Sequence, residues 1–260
     1  SDRSASVKKT VEFTTTGSYP CVITIEDASG NKSVHNIEVM VMLSETENPI
    51  QDYPGMYVVD ANENPDDYID GYYRWMDRKG EYQYEGKFYA TTDNSKIFFT
   101  PERNLDGDLY GVSPYVSSKL MNNNGYAVPV TINKAGYYGI WIDLQAHTYS
   151  IWALEIPTDA YTGALCVTGE GFTIGNWALS AEMTKITDYR YTGTVSLVEG
   201  YGDYVYCLTS PDWSCQFHGD GKYWWIASGG ANLTFHTDYS GEVIVTFDTA
   251  YPWGTIKKSN

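Results

Sequence analysis

The residues best suited to chemistry in this chain are aromatic side chains that stand beside polar ones. The sequence contains 8 Trp and 24 Tyr, and many lie near Gly, Asp or Asn, as in GNW (175–177), SPDWSCQFHGD (210–220) and GKYWW (221–225). Sugars present apolar C–H faces on which flat rings stack, and hydroxyls to which amide, carboxylate and ammonium groups hydrogen-bond. These residue types therefore favour the binding of a carbohydrate.

Three tryptophans and their polar neighbours are the main candidates for that role. Trp177 and Trp213 lie in segments rich in Gly, Asp, Asn or Ser, which are typical of loops that display binding residues. If Tyr-Trp-Trp forms a regular strand, Trp224 points to one side and Tyr223 and Trp225 to the other. Burial in a core is the competing interpretation of each ring. The predicted ligand-binding residues are Trp177, Trp213, Trp225, Tyr223, Asn176, Asp212, Lys222 and Asn232, with Tyr73, Trp75 and Tyr110 as secondary candidates in the first half.

Motifs for catalysis or metal binding are scarce. The sequence has no HExxH, GxSxG or P-loop motif, and its 4 histidines are dispersed, so no catalytic residue, metal site or cofactor is predicted. A glycoside hydrolase needs only two facing carboxylates, and 33 acidic residues leave that alternative open. Residues 60–70 resemble the start of a calcium loop, but Pro65 and Gly71 occupy positions that an EF-hand fills with Gly and Glu. A solvated acidic loop is predicted there, and a calcium site of another type remains open.

The net charge of the chain limits the kinds of molecule that it is expected to bind. The formal net charge is −16, from 17 Lys and Arg against 33 Asp and Glu. Nucleic acids and anionic membranes would be repelled, so a neutral or cationic partner is expected. The sequence has no run of about 18 apolar residues and no apolar signal segment, so we expect a soluble chain that reaches a membrane only through a lipid anchor outside these residues.

The four cysteines form no CxxC pair. Three of them lie in apolar, strand-like segments, for which buried free thiols are the first interpretation. A Cys207–Cys215 disulfide that closes one hairpin is the alternative.

Short runs rich in Val, Ile, Thr and Tyr recur between Gly, Asn, Asp and Pro, which predicts an all-β chain. The chain also matches itself. Tyr-Glu-Gly at 84–86 corresponds to Tyr-Thr-Gly at 191–193, and residues 135–151 correspond to residues 240–256. Two units of about 100 residues with about seven short strands each predict tandem immunoglobulin-like β-sandwich domains.

The amino-acid composition predicts where these units begin and end. Residues 45–54 and 156–163 are predicted linkers because they combine Pro with acidic or small polar residues. The predicted domains are a partial Ig- or PKD-like domain over 1–46, a first carbohydrate-binding-like sandwich over 47–157 and a second over 158–260. The first of these contains a hairpin with Ser-Gly-Asn at its turn.

The second unit resembles the repeated carbohydrate-binding domain of SusE/SusF-type outer-membrane lipoproteins of gut bacteria. The resemblance rests on LCVTGEGFTIGNWALSAEMTKI, YRYTGTVSL and SGEVIVTFDTAYPWGTIKK. In the first unit it rests on KAGYYGIWIDLQAHTYSI, whereas VVDANENPDDYIDGYYRWMDR departs from the family pattern by its length and by lacking a Gly-Trp pair. The resemblance covers roughly residues 54–258 and implies a glycan-binding protein of the cell surface.

We therefore expect non-catalytic capture of a neutral polysaccharide or oligosaccharide, starch-like or of another plant or microbial type, ahead of import. The resemblance implies an outer-membrane location through a lipid anchor and a SusC/SusD-type transporter complex as partner. Two modules on one polymer would raise avidity through effective concentration. The alternatives are a structural or adhesin-like surface protein with protein partners and, with less support from the sequence, a glycoside hydrolase.

Overall fold

A computed structural model of the protein describes residues 11–13, 17–41, 50–114, 116–122, 127–226 and 230–259. Strands β1 to β21 and a short 3-10 helix at Pro65–Asp67 account for the regular structure, and the described residues contain no α-helix. The all-β prediction is confirmed, because Val, Ile, Tyr and Phe fit a pleated, half-buried surface. Within the described ranges, no helix has the length and apolar character needed to cross a bilayer. Contacts between residues divide the chain into two units, Ser1–Pro49 and Ile50–Asn260.

The first unit contains one antiparallel hairpin, β1 (Gly17–Glu26) and β2 (Lys32–Val41). The Asp27 carboxylate fixes its turn by accepting hydrogen bonds from the backbone N–H groups of Ser29 at 2.8 Å and Asn31 at 2.9 Å. The predicted hairpin with Ser-Gly-Asn at its turn is confirmed. The Ig- or PKD-like character of residues 1–46 stays a prediction, since residues 1–10, 14–16 and 42–49 lie outside the described ranges.

The first repeat of the second unit forms one nine-stranded sheet in the order β12-β11-β6-β5-β3-β7-β8-β9, with β10 paired to β7. Its two ends approach each other, because the backbone N–H of Leu120 in β9 donates to the carbonyl oxygen of His147, before β12, at 2.9 Å. The curved sheet encloses a core that includes Met56, Tyr84 and Phe99. The strands of this sheet are β3 (Gly55–Asp60), β5 (Arg74–Gly80), β6 (Gln83–Ala90), β7 (Ser95–Thr100), β8 (Tyr110–Val112), β9 (Leu120–Asn122), β10 (Val130–Ile132), β11 (Gly136–Asp143) and β12 (Thr148–Ala153). Strand β4 (Tyr68–Asp70), also of the first repeat, lies outside this sheet.

The second repeat consists of two five-stranded sheets that share one core. One has the order β13-β16-β17-β18 with β19 paired to β16, and the other has the order β14-β15-β20-β21-β4. Leu208 and Phe217 from the first sheet and Tyr191 and Phe247 from the second belong to the same buried cluster. The strands are β13 (Cys166–Glu170), β14 (Thr184–Thr187), β15 (Arg190–Leu197), β16 (Asp203–Thr209), β17 (Gln216–Gly219), β18 (Trp224–Ile226), β19 (Leu233–His236), β20 (Gly241–Asp248) and β21 (Trp253–Lys258).

Most strand pairs of the first repeat recur in the second, as the self-comparison of the sequence predicts, but the β3–β5 pair has no equivalent, because β13 and β14 belong to different sheets. Strands β6 and β15 show the same order of buried and exposed positions. Tyr84 lies opposite Ile142 in the β6–β11 pair, and Tyr191 lies opposite Phe247 in the β15–β20 pair. Both opening strands, GMYVVD and CVTGE, also form where expected.

One short strand of the first repeat completes a sheet of the second. Strand β4 pairs with β21, so that Asp70 lies opposite Ile256. Beside this pair, the Lys257 ammonium contacts the Glu63 carboxylate at 2.6 Å, and Trp253 Nε1 donates to the carbonyl oxygen of Gly71 at 3.0 Å. The segment 60–70, predicted to be a solvated acidic loop, therefore holds the two repeats together, and residues 50–260 form one compact unit. The boundary at 157/158 stays a prediction.

The cysteines are free thiols in the structure. Cys166 and Cys207 are buried, and Cys21 and Cys215 are partly buried. Burial raises the pKa of the Cys207 thiol to about 11, which makes it a poor nucleophile.

Candidate functional site

A cleft of about 360 Å³ opens between the two repeats. This volume lies within the range of roughly 300–1,000 Å³ that is usual for ligand sites. Segments 74–79 and 85–89 line it from the first repeat, and segments 222–224 and 248–253 line it from the second. Tyr137, at the start of β11, also contributes. We refer to this feature as the inter-repeat cleft.

Aromatic rings from both repeats face this cleft. Tyr89 and Tyr137 have ring centroids 4.7 Å apart, and Tyr137 lies 5.5 Å from Tyr251 across the boundary between the repeats. The remaining rings of the lining include three tryptophans, Trp75, Trp224 and Trp253. The cleft is thus bordered by flat apolar surfaces on several sides.

Glycines opposite two of the indoles allow the rings to lie close to the neighbouring backbone. A Cβ atom on Gly55 would stand 2.0 Å from Cη2 of Trp75, and one on Gly254 would stand 2.7 Å from Cζ2 of Trp224. Trp75 alternates with buried Met76 along β5, so its ring lies on the side of the strand away from the core. Trp75 is therefore displayed by a strand and not by a loop.

Asp77 connects the two repeats at one end of the cleft. Its carboxylate accepts hydrogen bonds from Trp75 Nε1 at 2.9 Å and from the Tyr223 hydroxyl, and it contacts the Lys79 ammonium at 3.5 Å. Burial acts to raise the pKa of Asp77, but the bonds from Tyr223 and Trp75 and the charge of Lys79 outweigh it, so this pKa lies below its usual value. The Lys222 ammonium lies over the Trp75 ring, 4.1 Å from its centroid.

Asp248 and Arg74 occupy the opposite part of the lining. The Asp248 carboxylate accepts a hydrogen bond from the Tyr137 hydroxyl at 2.8 Å and another from the backbone N–H of Ala250 at 2.9 Å. Burial raises its pKa, although these bonds oppose the shift. The Arg74 guanidinium lies between two rings, with Cζ 5.2 Å from the centroid of Phe88 and 5.6 Å from that of Trp253.

Trp224 and Trp253 also border a second, smaller cavity of about 240 Å³. Tyr73 lines this cavity, and its ring packs edge-on against Tyr57 at 6.0 Å and Tyr72 at 4.9 Å. Tyr73, Trp75, Lys222 and Tyr223 are therefore the predicted site residues that line cavities between the repeats.

No protein-family model matches this sequence, and no curated protein matches it. Among solved structures, the crystal structure of SusF from Bacteroides thetaiotaomicron is similar to this chain, with 15% sequence identity and a TM-score of 0.31. The match covers 91% of this chain and 56% of the SusF chain, so the chain spans little more than half the length of that protein. At this TM-score the function has to be argued from the residues of the chain itself.

The other predicted residues of the second repeat lie outside the lining of the inter-repeat cleft. Trp177 Nε1 donates to the Glu170 carboxylate at 2.9 Å, next to exposed Asn176. Trp213 is exposed in the turn after β16. In that turn, hydrogen bonds from the hydroxyls of Ser210 and Ser214 lower the pKa of Asp212 to about 2.

Trp225 and Asn232 surround a buried histidine instead of the cleft. Trp225 lies opposite His218 in the β17–β18 pair, and the Asn232 side-chain oxygen lies 3.1 Å from Nδ1 of His218. Trp224 packs on the other side, against Phe247 at 4.8 Å. The predicted alternation of Trp224 and Trp225 is thus observed. It does not extend to Tyr223, which precedes the strand and lines the same cleft as Trp224.

Tyr110 is 2% exposed and belongs to the core of the first repeat. Its hydroxyl lies 3.2 Å from that of Tyr53, and no ring face is open to a ligand. The secondary expectation of a stacking role for Tyr110 is therefore corrected, because its strand position faces inward.

Sequence reasoning did not identify Arg74, Trp224, Tyr251 and Trp253 as lining residues of a site. Tyr251-Pro252-Trp253 falls within the matched stretch 240–256, where the first repeat has a different sequence, AHT at 146–148. The rings of Tyr251 and Trp253 have no equivalent in this turn of the first repeat, so the shared fold does not require them. This difference between the repeats was the signal in the sequence that could have indicated a role in binding.

Proposed function

We propose that residues 50–259 bind a polysaccharide in the inter-repeat cleft without cleaving it. The observation that carries the proposal is the lining of this cleft, where rings from both repeats stand beside hydrogen-bonding and charged groups. Aromatic faces stack on the apolar faces of sugars, and the polar groups would meet hydroxyls at the edges. The site is shared by the repeats, in place of the one site per module expected from the sequence.

The exposed end of the cleft is well suited to stacking. Tyr223 is 48% exposed, and its hydroxyl is oriented by the bond to Asp77. Trp75 is held by the same carboxylate, so both rings are fixed before a ligand arrives. Rings that are already ordered lose little conformational freedom on binding, which favours affinity.

The pKa values and hydrogen bonds of the carboxylates that line the cleft support binding of the polysaccharide over its hydrolysis. A glycosidase acid needs a raised pKa and a free proton to donate. The pKa of Asp77 is lowered, and Asp248 is already engaged by Tyr137 and by the backbone. Asp77 therefore lacks the raised pKa of a general acid, and Asp248, although burial raises its pKa, is held by these hydrogen bonds. Glu85 is the third carboxylate of the lining.

The wider biological role is part of the proposal and rests on the family resemblance in the sequence. It comprises capture of a polysaccharide at the outer membrane ahead of import, through a lipid anchor outside this chain and beside a SusC/SusD-type transporter complex. Native affinity electrophoresis tests the binding step. Gels are cast with soluble starch, xyloglucan, β-glucan, mannan or pectin, and calorimetry follows on any polymer that retards the protein.

Retardation by one polymer, with no release of reducing sugar on prolonged incubation, is the expected result. Free migration through every gel would refute the proposal and favour a structural or adhesin-like role with protein partners. Release of reducing sugar would instead identify a glycoside hydrolase.

A further inference from the structure

The inter-repeat cleft concentrates positive charge in an acidic protein. Of the 17 Lys and Arg residues in a chain of net charge −16, Arg74, Lys79, Lys87 and Lys222 line this one cleft. The lining contains three carboxylates, those of Asp77, Glu85 and Asp248. The hydrogen bonds and ion pairs of these carboxylates determine which of the four cations remain available to a ligand.

Two of these carboxylates are already satisfied by the protein. Asp77 accepts bonds from Trp75 and Tyr223 and pairs with Lys79. Asp248 accepts bonds from the Tyr137 hydroxyl and from backbone N–H groups. Glu85, which lies opposite Asp77 in the β5–β6 pair, is the remaining carboxylate of the lining.

Three of the lining cations lie over aromatic faces. The Lys87 ammonium is 4.5 Å from the centroid of Tyr251, the Lys222 ammonium is 4.1 Å from that of Trp75, and Arg74 lies between Phe88 and Trp253. In the part of the chain that the structure describes, none of these three side chains forms an ion pair with a carboxylate. Elsewhere, Lys134 and Lys257 each contact a carboxylate within 2.7 Å.

A second guanidinium lies behind Arg74. Arg190 Cζ is 4.4 Å from the centroid of Tyr89, and its Nη1 atom is buried without a hydrogen-bond partner among the described residues. Burial, together with the charge of Arg190, lowers the pKa of Arg74 to about 10. Two guanidinium groups thus share the neighbourhood of one carboxylate, Asp248.

We propose that the polysaccharide bound in this cleft carries hexuronic acid residues, with a sugar carboxylate received by Arg74 and neighbouring carboxylates by Lys87 and Lys222. Guanidinium groups bind carboxylates through two parallel hydrogen bonds, and Arg74 lines the cleft beside the rings of Phe88 and Trp253. This inference rests on the proposed function and specifies its ligand.

The inference departs from the neutral ligand expected from the sequence, because net charge averages over the whole surface. At physiological ionic strength the Debye length is about 8 Å, so carboxylates farther than this from a bound ligand are largely screened, while cations in contact with the ligand are screened much less. Local charge in the site therefore decides the preference.

Calorimetry with matched polymers tests the inference. The ligands are polygalacturonate and the galactan obtained by reducing its carboxyl groups, which keeps the linkage and removes the charge. The variants are Lys87→Gln, Lys222→Gln and Arg74→Gln, and the control is Lys96→Gln, which removes an exposed lysine on β7 outside the cleft. Melting temperatures identify any variant that fails to fold, and the two exposed lysine variants keep the test valid if Arg74→Gln does.

Polygalacturonate should bind at least about tenfold more tightly than the reduced polymer. Lys87→Gln and Lys222→Gln should each weaken binding of the acidic polymer about twofold to fivefold, as expected for exposed charge pairs, and leave the reduced polymer unaffected. Lys96→Gln should change the affinity for neither polymer.

Equal affinity for both polymers, or tighter binding of the reduced one, would overturn the inference and leave the proposed function intact. No binding of either polymer, together with retardation by starch or another neutral glycan, would also overturn it, whereas no binding of any glycan would refute the proposed function itself.

Discussion

The Tyr223 hydroxyl donates a hydrogen bond to the carboxylate of Asp77, 146 residues earlier in the chain. This bond joins the residue before β18 in the second repeat to β5 in the first, at the rim of the inter-repeat cleft. Trp75 donates to the same carboxylate. One acidic side chain therefore orients two rings that come from different repeats.

The first prediction concerns the pH dependence of stability at Asp77. Its pKa in the folded protein is below the usual value of about 3.9, so its ionised form stabilises the fold above that value and the contribution is lost as pH falls through the folded pKa. Asp77→Asn should lower the melting temperature at pH 7. The gap to the unaltered protein should narrow between about pH 5 and pH 3. A gap that stays constant down to pH 3 would show that Asp77 is not preferentially ionised in the fold.

The second prediction concerns the contact between Gly55 and Trp75. A methyl group at residue 55 would stand 2.0 Å from the indole, so Gly55→Ala should destabilise the protein by about 1–3 kcal/mol in urea denaturation. Gly80→Ala on β5 is the matched control, because its methyl group meets only the flexible end of Gln83. In a Trp75→Ala background the cost of Gly55→Ala should disappear. Equal destabilisation in both backgrounds would contradict the contact.

The third prediction concerns the thiols. Cys166 and Cys207 are buried, whereas Cys21 and Cys215 are only partly buried, so the buried pair should react with a disulfide reagent at pH 8 far more slowly, although burial raises the pKa of Cys215 as well. In denaturant all four thiols should react. A titre of two in denaturant would instead indicate a Cys207–Cys215 disulfide, the alternative that the sequence leaves open.

The strand pattern and the repeat could be predicted from the sequence because both depend on local side-chain alternation. The matched Tyr-x-Gly strands show this best, since Tyr84 and Tyr191 face inward in both repeats. The cleft could not be predicted in this way. It depends on the β4–β21 pair, which joins residues far apart in the chain and arises from a segment whose composition indicates a loop.

The same difference between local sequence and long-range packing separates the correctly and incorrectly predicted site residues. Lys222 and Tyr223 were predicted from local composition and line the cleft, whereas Trp177 and Trp213 have the same local composition and lie elsewhere. Composition indicates that a ring is near a turn, but the packing of the two repeats decides which turn faces a cavity. Tyr110 was placed wrongly because a short strand gives no signal of its inward face.

The central claim is that a polysaccharide binds between the repeats at Trp75 and Tyr223. Its most direct test is calorimetric titration of Trp75→Ala and Tyr223→Ala with whichever polymer retards the unaltered protein, alongside Trp213→Ala, which removes an indole that is 38% exposed outside the cleft. Each cleft variant should weaken binding about tenfold, which corresponds to ~1.4 kcal/mol, and Trp213→Ala should bind normally. Loss of binding in Trp213→Ala, with both cleft variants folded and unaffected, would place the site on the loop of the second repeat and contradict this account.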